Sequence, residues 1–174
     1  KYGGAAMVDP KLRDAVMADI VMLKIMGVNP VIVHGGGAAI TENMDRFDLE
    51  VEFINGQRVT SDEAMEVVKM TLVGKVNEEL VRAMNQHGNL AVGVNGADAG
   101  TIIAEQFKPE LGRVGSVIDV NPAYLKTLID AAYVPIIASV ARVRMAAHSI
   151  STQMRLRARW LARSAHRRSS SLQM

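Results

Sequence analysis

A short apolar run that ends in three glycines constrains the fold of this chain more than any other feature. Val31–Val33 has the composition of a buried β-strand, and it leads through His34 into the glycine run Gly35–Gly37. Glycines allow backbone N–H groups to approach an anion closely, because no Cβ intervenes. A ligand close to the backbone also explains why the chain tolerates the entropy that three glycines lose on folding. The sequence therefore predicts an anion-binding loop between a strand and a helix, with His34 in a structural role.

The first four residues contain a second glycine pair. Gly3 and Gly4 follow Lys1 and Tyr2, although a pair of this kind is also common in ordinary surface turns. Two glycine loops and one lysine are together suited to hold a phosphoryl group during its transfer. The combination favours descent from a phosphotransferase.

The order of predicted elements indicates the fold class. Apolar residues at Leu12, Val16, Ile20 and Leu23 have helical spacing, and this predicted helix precedes the Val31–Val33 strand. The glycine run then begins a second helix. Strands that alternate with helices in this way are typical of a mostly parallel sheet with helices on both faces. We therefore predict a three-layer αβα fold of the α/β class.

Further elements follow in the same manner. Thr60 or Ser61 is expected to cap a long helix over residues 62–87, with Asp62 and Glu63 in its first turn. The other predicted elements are strands over 51–54, 90–94 and 135–140, a hairpin of strands 101–105 and 113–120, and a helix over 122–132.

Composition and charge exclude several classes of protein. The chain has no cysteine, which rules out disulfides and thiolate zinc sites and fits a cytoplasmic location. No apolar run approaches the length of a membrane span. Residues 1–141 contain 12 basic and 18 acidic side chains, whereas residues 142–174 contain eight arginines and no acidic residue. An acidic body is thus joined to a basic tail, and we predict a domain over 1–140 and a separate tail over 141–174.

Several segments in order resemble the N-acetylglutamate kinases of the amino-acid kinase family. The resemblance covers residues 1 to about 140, the N-terminal portion of such a kinase. The segments that carry it include Lys1–Met7, His34–Gly37, Phe53–Thr60, Gly74–Asn77, Leu111–Gly115 and Tyr133–Ile137. The resemblance implies the amino-acid-kinase fold and ATP-dependent phosphorylation of the side-chain carboxylate of N-acetyl-L-glutamate, a step of arginine biosynthesis.

The same resemblance assigns roles to individual residues. Lys1 would be the catalytic lysine that neutralises the transferring phosphoryl group, and Arg58 would grip a carboxylate of the substrate. The glycines divide into a phosphate-binding set, Gly3, Gly4 and Gly35, and a substrate-binding set, Gly36 and Gly37. No protein side chain is expected to bind a metal, because Mg²⁺ would arrive with ATP. A carboxylate is already a nucleophile, so the reaction needs alignment and charge neutralisation rather than a general base.

The resemblance also bears on partners and completeness. It implies a homodimer through the helix over 62–87 and a nucleotide domain that follows this region in the family and that we expect the chain to lack. We therefore predict little phosphoryl transfer by the chain alone. The alternatives are a non-catalytic substrate-binding or dimerisation module, and a related kinase that acts on another carboxylate.

The basic tail departs from the family. If Ser151–Arg155 is encoded TCA ACG CAG ATG CGG, reading two bases later gives Asn-Ala-Asp-Ala, a sequence that the family has at this point. We therefore expect residues from about 141 to be a frameshifted, disordered translation. A genuine basic helix is the alternative, but its single aromatic residue, Trp160, makes a nucleic-acid site poorly supported.

Overall fold

The computed structural model describes residues 1–7, 9–143 and 148–151, and helices alternate with strands along most of them. The helices are α1 (Pro10–Ile25), α2 (Gly37–Arg46), α3 (Asp62–Lys69), α4 (Asn77–Asn85) and α5 (Ala123–Asp130). The strands are β1 (Ile32–His34), β2 (Phe53–Ile54), β3 (Gln57–Arg58), β4 (Ala91–Asn95), β5 (Ile102–Gln106), β6 (Val114–Val120), β7 (Val134–Ala138), β8 (Val140–Val143) and β9 (His148–Ser151). A π-helical segment, Met70–Val76, joins α3 to α4.

A parallel sheet of three strands forms the centre of the molecule. Its order is β1-β7-β4, and β7 pairs with both neighbours, with Ile136 opposite Ile32 on one side and Gly93 on the other. All five residues of β7 are buried, as expected for an inner parallel strand that is covered on both faces. Tyr2 adds a parallel bridge to His34 on the free edge of β1. The N-terminal residues therefore lie beside the end of β1.

Helices cover the parallel sheet on both faces. Helices α1 and α4 bury one face, with a core that includes Met17, Val21, Leu80, Met84, Ile32, Ala91 and Ile136. Helix α5 and the β5–β6 hairpin bury the other, with a core that includes Val94, Ile102, Val117, Leu125 and Ile137. Consecutive residues of β7 thus enter opposite cores, because side chains alternate along a strand. The predicted α/β fold with a three-layer αβα arrangement is confirmed.

The hairpin is also confirmed. Strands β5 and β6 pair antiparallel, from Ile102 opposite Val120 to Gln106 opposite Gly115. Backbone pairing with β8 and β9 closes them into a small four-stranded barrel. Residues 144–147 and 152–174 lie outside the described residues, as does most of the predicted tail over 141–174. The predicted domain boundary and the frameshift therefore stay predictions.

The predicted apolar stripe of α1 is partly wrong. Met17 and Val21 are its buried residues, whereas Leu12 and Leu23 are each 44 % exposed. Asp9 caps the helix through bonds from the amides of Lys11 and Leu12 to its carboxylate, as an N-cap residue does. A helix with apolar residues on several faces does not reveal from its sequence which face packs on the sheet.

A buried polar pair crosses the core between β1 and α4. His34 is fully buried, and its Nε2 lies 2.9 Å from Asn77 Nδ2. The same amide nitrogen donates to the Ile136 carbonyl at 2.9 Å, and His34 Nδ1 lies 3.0 Å from the Gly35 carbonyl oxygen. Burial lowers the pKa of His34, against a smaller opposite effect of the bond to Gly35. The ring is therefore held in its neutral form.

The β5–β6 hairpin docks on the start of α3 through Gly112. The Thr60 amide donates to the Leu111 carbonyl at 3.1 Å, and the Arg113 amide donates to the Thr60 carbonyl at 2.8 Å. Gly112 has a φ of +65°, and a Cβ at this position would lie 2.2 Å from the Thr60 carbonyl oxygen. The clash is with backbone, which cannot rotate away.

Gly112→Ala is expected to reduce the free energy of unfolding by about 2–3 kcal/mol, because strain at positive φ adds to overpacking. Gly56→Ala is the matched control, since Gly56 has a φ of +75° but nothing within 4 Å of an added Cβ. It should cost only about 1–2 kcal/mol. Urea denaturation of both variants measures the difference, and equal losses would contradict the docking role of Gly112.

Stability should fall as the pH is lowered past the ordinary pKa of histidine. The folded-state pKa of His34 lies below the unfolded value, about 6.5, so the unfolded chain binds a proton first. The contribution of the neutral ring is complete above that value and is lost as the pH falls through the lower, folded-state pKa. Denaturation between pH 7.5 and 5 measures it. Exposed His87 supplies the control, because His87→Gln should keep this dependence and His34→Asn should remove it.

Candidate functional site

The two glycine loops line one cleft. Strand β1 ends at His34, the chain turns through Gly35 and Gly36, and α2 begins at Gly37. Gly3 and Gly4 lie in the wall of the same cleft as these three glycines. The cleft encloses about 510 Å³, a volume within the range of small-molecule sites. The structure therefore brings together the five glycines that sequence analysis assigned to phosphate and substrate.

Gly36 leaves no room for a side chain. A Cβ there would lie 2.9 Å from Leu72 Cδ2 and 3.2 Å from Val76 Cγ2, both on the π-helical segment. Gly37 is different, because nothing lies within 4 Å of an added Cβ. It is the first residue of α2, whose first-turn N–H groups have no intrahelical acceptor. The loop is therefore packed against the π-helical segment at Gly36 and leads into backbone donors at Gly37.

Arg58 lies beside the second loop rather than in the wall of the cleft. Its Nη2 donates to Thr41 Oγ1 at 2.6 Å and to the Gly37 carbonyl at 3.3 Å. Its guanidinium carbon also lies 4.7 Å from the ring centroid of Phe53, within reach of a cation–π interaction. Burial lowers the pKa of Arg58, against a smaller opposing effect of Asp45. These contacts hold the guanidinium beside the N-terminal end of α2.

Lys1 is placed close to the second loop but does not line the cleft. The Tyr2 amide donates to the Val33 carbonyl at 2.8 Å, which holds the first residues against the edge of β1. Lys1 itself is exposed. The structure thus brings the glycine loops and Arg58 together and leaves the Lys1 side chain outside their contacts.

Two cationic side chains in the wall of the cleft were missed by sequence analysis. Lys75 Nζ lies 3.2 Å from Glu42 Oε2, and Arg13 Nη1 lies 3.6 Å from Glu79 Oε2; all four residues line the cleft. The bond from Lys75, and next the charge of Arg46, hold the pKa of Glu42 below its usual value. Both pairs remain partly accessible to solvent, so each stabilises the fold little. Because Glu42 and Glu79 line the same cleft, its wall presents two cations, each beside a carboxylate.

Helical spacing accounts for the position of Lys75. Leu72, Val76 and Leu80 are buried at a spacing of four residues, and Lys75 and Glu79 form the neighbouring row. Once the buried row is known to pack on Gly36, the neighbouring row must lie at the edge of the loop. Because this placement of Lys75 depends on a long-range contact, it could not be predicted from the sequence.

Within residues 1–7, 9–143 and 148–151, no group of three or more His, Asp or Glu side chains is arranged to hold a metal ion. No described helix combines the length and the apolar composition that crossing a membrane requires.

The chain is similar to proteins named acetylglutamate kinase. Acetylglutamate kinase of Corynebacterium urealyticum is 50 % identical over 148 residues, which cover 81 % of this chain and 49 % of that protein. The acetylglutamate kinase of Halothermothrix orenii is 48 % identical over 145 residues, with 80 % and 50 % coverage. The chain spans about half the length of the curated relatives it matches.

Solved structures share the fold. The structure of smu.665 from Streptococcus mutans matches with a TM-score of 0.73 and 27 % identity, covering 78 % of this chain and 56 % of that one. N-acetylglutamate synthase from Neisseria gonorrhoeae, complexed with coenzyme A and N-acetyl-glutamate, matches with a TM-score of 0.68. Its identity is 15 %, with coverage of 85 % and 34 %, so it supports the fold alone.

The family model described as the amino acid kinase family matches residues 1–152. This range contains both glycine loops, Arg58 and the whole parallel sheet. Together with the acetylglutamate kinases above, it supports the resemblance on which the sequence analysis rested. The chain belongs to the amino acid kinase family.

Proposed function

We propose that this chain forms the acyl-amino-acid-binding part of an acetylglutamate kinase. In the whole kinase, the side-chain carboxylate of N-acetyl-L-glutamate would attack the γ-phosphoryl group of ATP, supplied as its Mg²⁺ complex, in arginine biosynthesis. The observation that carries the proposal is the single cleft that both glycine loops line, with Arg58 held against the second loop. The acetylglutamate kinases at 48–50 % identity support the choice of substrate.

The chemistry of the cleft suits this reaction. A carboxylate needs no general base, so the protein has to align two anions and neutralise their charge. Backbone N–H groups of the glycine loops and of the first turn of α2 would donate hydrogen bonds to the anions. They would do so without the cost of burying a charged side chain. Lys75 and Arg13 would offer cations from the wall, although each lies beside a carboxylate, Glu42 or Glu79. Lys1, beside the end of β1, is proposed to reach the transferring phosphoryl group.

Three parts of the proposal rest on other observations. A homodimer through the helical stretch over 62–87 is supported by Met70 and Val73, apolar side chains that are 54 % and 37 % exposed. A cytoplasmic location is supported by the absence of cysteine.

Inactivity of the 174-residue chain alone stays a prediction, which hydroxylamine trapping of acyl phosphate with ATP and Mg²⁺ would test.

Arg58→Lys is expected to raise the Kd for N-acetyl-L-glutamate at least about tenfold, because a lysine keeps the charge but loses the bidentate fork. Isothermal titration calorimetry measures the effect. The matched control is Arg82→Lys, an exposed arginine of α4 that pairs with Glu78. Equal affinities of the wild type and Arg58→Lys would contradict a substrate role for Arg58, and a wild type that binds no N-acetyl-L-glutamate would contradict the proposed function.

Lys75 and Glu42 should affect affinity in opposite directions. Lys75→Gln removes a cation from the cleft and should weaken binding about two- to fivefold, whereas Glu42→Gln releases Lys75 and should strengthen it by a similar factor. Lys126→Gln, which breaks an exposed pair with Asp130 on α5, is the control. The same titrations at low and high salt test the electrostatic origin. If Lys75→Gln and Glu42→Gln both weaken binding, the expected opposite effects are contradicted, and the intact ion pair rather than the charge of Lys75 favours binding.

A further inference from the structure

The glycine loop is connected to the core by a chain of hydrogen bonds whose direction the structure determines. At one end is the Ile136 carbonyl, which can only accept, so the Asn77 group that faces it at 2.9 Å is the amide nitrogen. That nitrogen lies 2.9 Å from His34 Nε2 and can only donate to it. The imidazole must therefore carry its proton on Nδ1. Nδ1 in turn donates to the Gly35 carbonyl at 3.0 Å.

Both ends of this series of hydrogen bonds require the same tautomer of the His34 imidazole. The Gly35 carbonyl can only accept, as the Ile136 carbonyl can, so Nδ1–H is required from the loop side as well. His34 is fully buried and Asn77 is 5 % exposed, so water does not replace these bonds readily. A buried donor or acceptor that loses its partner costs about 1–3 kcal/mol. The orientation of the Gly35 carbonyl is therefore strongly determined.

The orientation of this carbonyl decides where the next N–H points. In a planar trans peptide, the carbonyl of one residue and the N–H of the next point in opposite directions. With the Gly35 carbonyl turned toward the buried imidazole, the Gly36 N–H is turned away from it. Gly36 lines the cleft. Within the described residues, the Gly36 amide has no hydrogen-bond acceptor.

We propose that His34 and Asn77 are positioning residues, which turn the Gly36 N–H into the cleft as a donor for an anionic ligand. The proposal rests on the proposed function in one respect, since the anion would be the carboxylate or phosphoryl group of that reaction. Neither side chain touches the ligand. They act through the Gly35–Gly36 peptide. His34, for which the sequence predicted a structural role, thereby also orients the glycine loop.

Two other features of the fold are arranged around Asn77. A Cβ at Gly93 would lie 2.2 Å from Asn77 Oδ1, so glycine at this point of β4 makes room for the amide. Asn77 also follows directly on the π-helical segment, whose Leu72 and Val76 pack on Gly36. Such segments are frequent at functional sites, because the wider turn changes which face the following residues present. One segment thus presses on the loop and supplies the residue that orients it.

The first test needs no ligand. Long-range ¹H–¹⁵N correlation NMR of the imidazoles in the wild-type chain of 18.8 kDa should show His34 protonated on Nδ1 and bare on Nε2. A His34 protonated on Nε2 would overturn the proposal. Asn77→Asp, of nearly the same size, places an acceptor beside Nε2 and should raise the pKa of His34. An unchanged pKa would also overturn it.

The second test measures the loop itself. Asn77→Leu should shift the amide resonances of Gly36 and Gly37 and weaken binding of N-acetyl-L-glutamate at least about tenfold. Asn85→Leu is the matched control on the same helix, because Asn85 bonds the backbone of Leu90 and Ala91 away from the cleft. It should lower the melting temperature without moving the glycine resonances. Glycine shifts that are absent in Asn77→Leu, or as large in Asn85→Leu, would show a merely structural role.

The outcomes separate the two proposals. A wild type with the expected tautomer, whose glycine resonances respond to Asn77→Leu but not to N-acetyl-L-glutamate, supports the positioning role and overturns the proposed substrate. Binding of N-acetyl-L-glutamate that Asn77→Leu and Asn77→Asp leave unchanged overturns the positioning role and keeps the proposed substrate. If Asn77→Leu does not fold, the wild-type tautomer and Asn77→Asp still decide.

Discussion

Gly36 packs so tightly on Leu72 and Val76 that the loop after β1 and the π-helical segment form one packed unit. The loop cannot move toward the segment, and its other side is held by the bond from His34 to Gly35. The parallel sheet contributes to this arrangement as well. The central strand β7 supports β1 and offers the Ile136 carbonyl to Asn77. Glycine loops are intrinsically flexible, and here packing from two sides restricts that freedom.

A restricted loop is what anion binding by backbone donors requires. Donors that already point at the developing charge need no reorganisation during reaction, which is the main source of electrostatic catalysis. The arrangement divides the work between elements. In the proposed site, the core would set the direction of the loop and the first turn of α2 would supply N–H groups. Arg58 lies against the loop, and Lys75 and Arg13 lie in the cleft wall beside the carboxylates of Glu42 and Glu79. The fold is shared across the family, so a choice of ligand has to come from side chains such as these.

Much of the fold followed from local sequence signals. Short windows of sequence contain the strand before the glycine run, the β5–β6 hairpin and the alternation that defines the αβα layers. They also limited the cap of α3 to Thr60 or Ser61, and the structure shows that it is Ser61. The buried face of α1 did not, since apolar residues occur on several of its faces and only the sheet decides between them. The π-helical segment was likewise predicted as ordinary helix. The predicted continuous helix over 62–87 is instead divided into α3, the π-helical segment Met70–Val76 and α4.

The candidate site, like the fold, was predictable from the sequence only in part. The sequence predicted roles for five glycines and Arg58; the structure places the glycines in the wall of one cleft and Arg58 against Gly37, and the roles stay predictions. Lys75 and Glu42 were missed, and His34 was assigned a structural role without its partner Asn77. Each contact joins residues that are distant in sequence, 33 residues apart for Lys75 and Glu42 and 43 for Asn77 and His34. A sequence pattern shows a helix face, but it does not show which loop that face meets.

The most direct measurement is an NMR titration of the wild-type chain with N-acetyl-L-glutamate, with unacetylated L-glutamate as the comparison ligand. If the cleft is the substrate site, saturable shifts should appear at the amides of Gly36 and Gly37 and at the Arg58 side chain, and L-glutamate should produce much weaker ones. Shifts confined to other surfaces, or none at concentrations that saturate an acetylglutamate kinase, would contradict the assignment of this cleft.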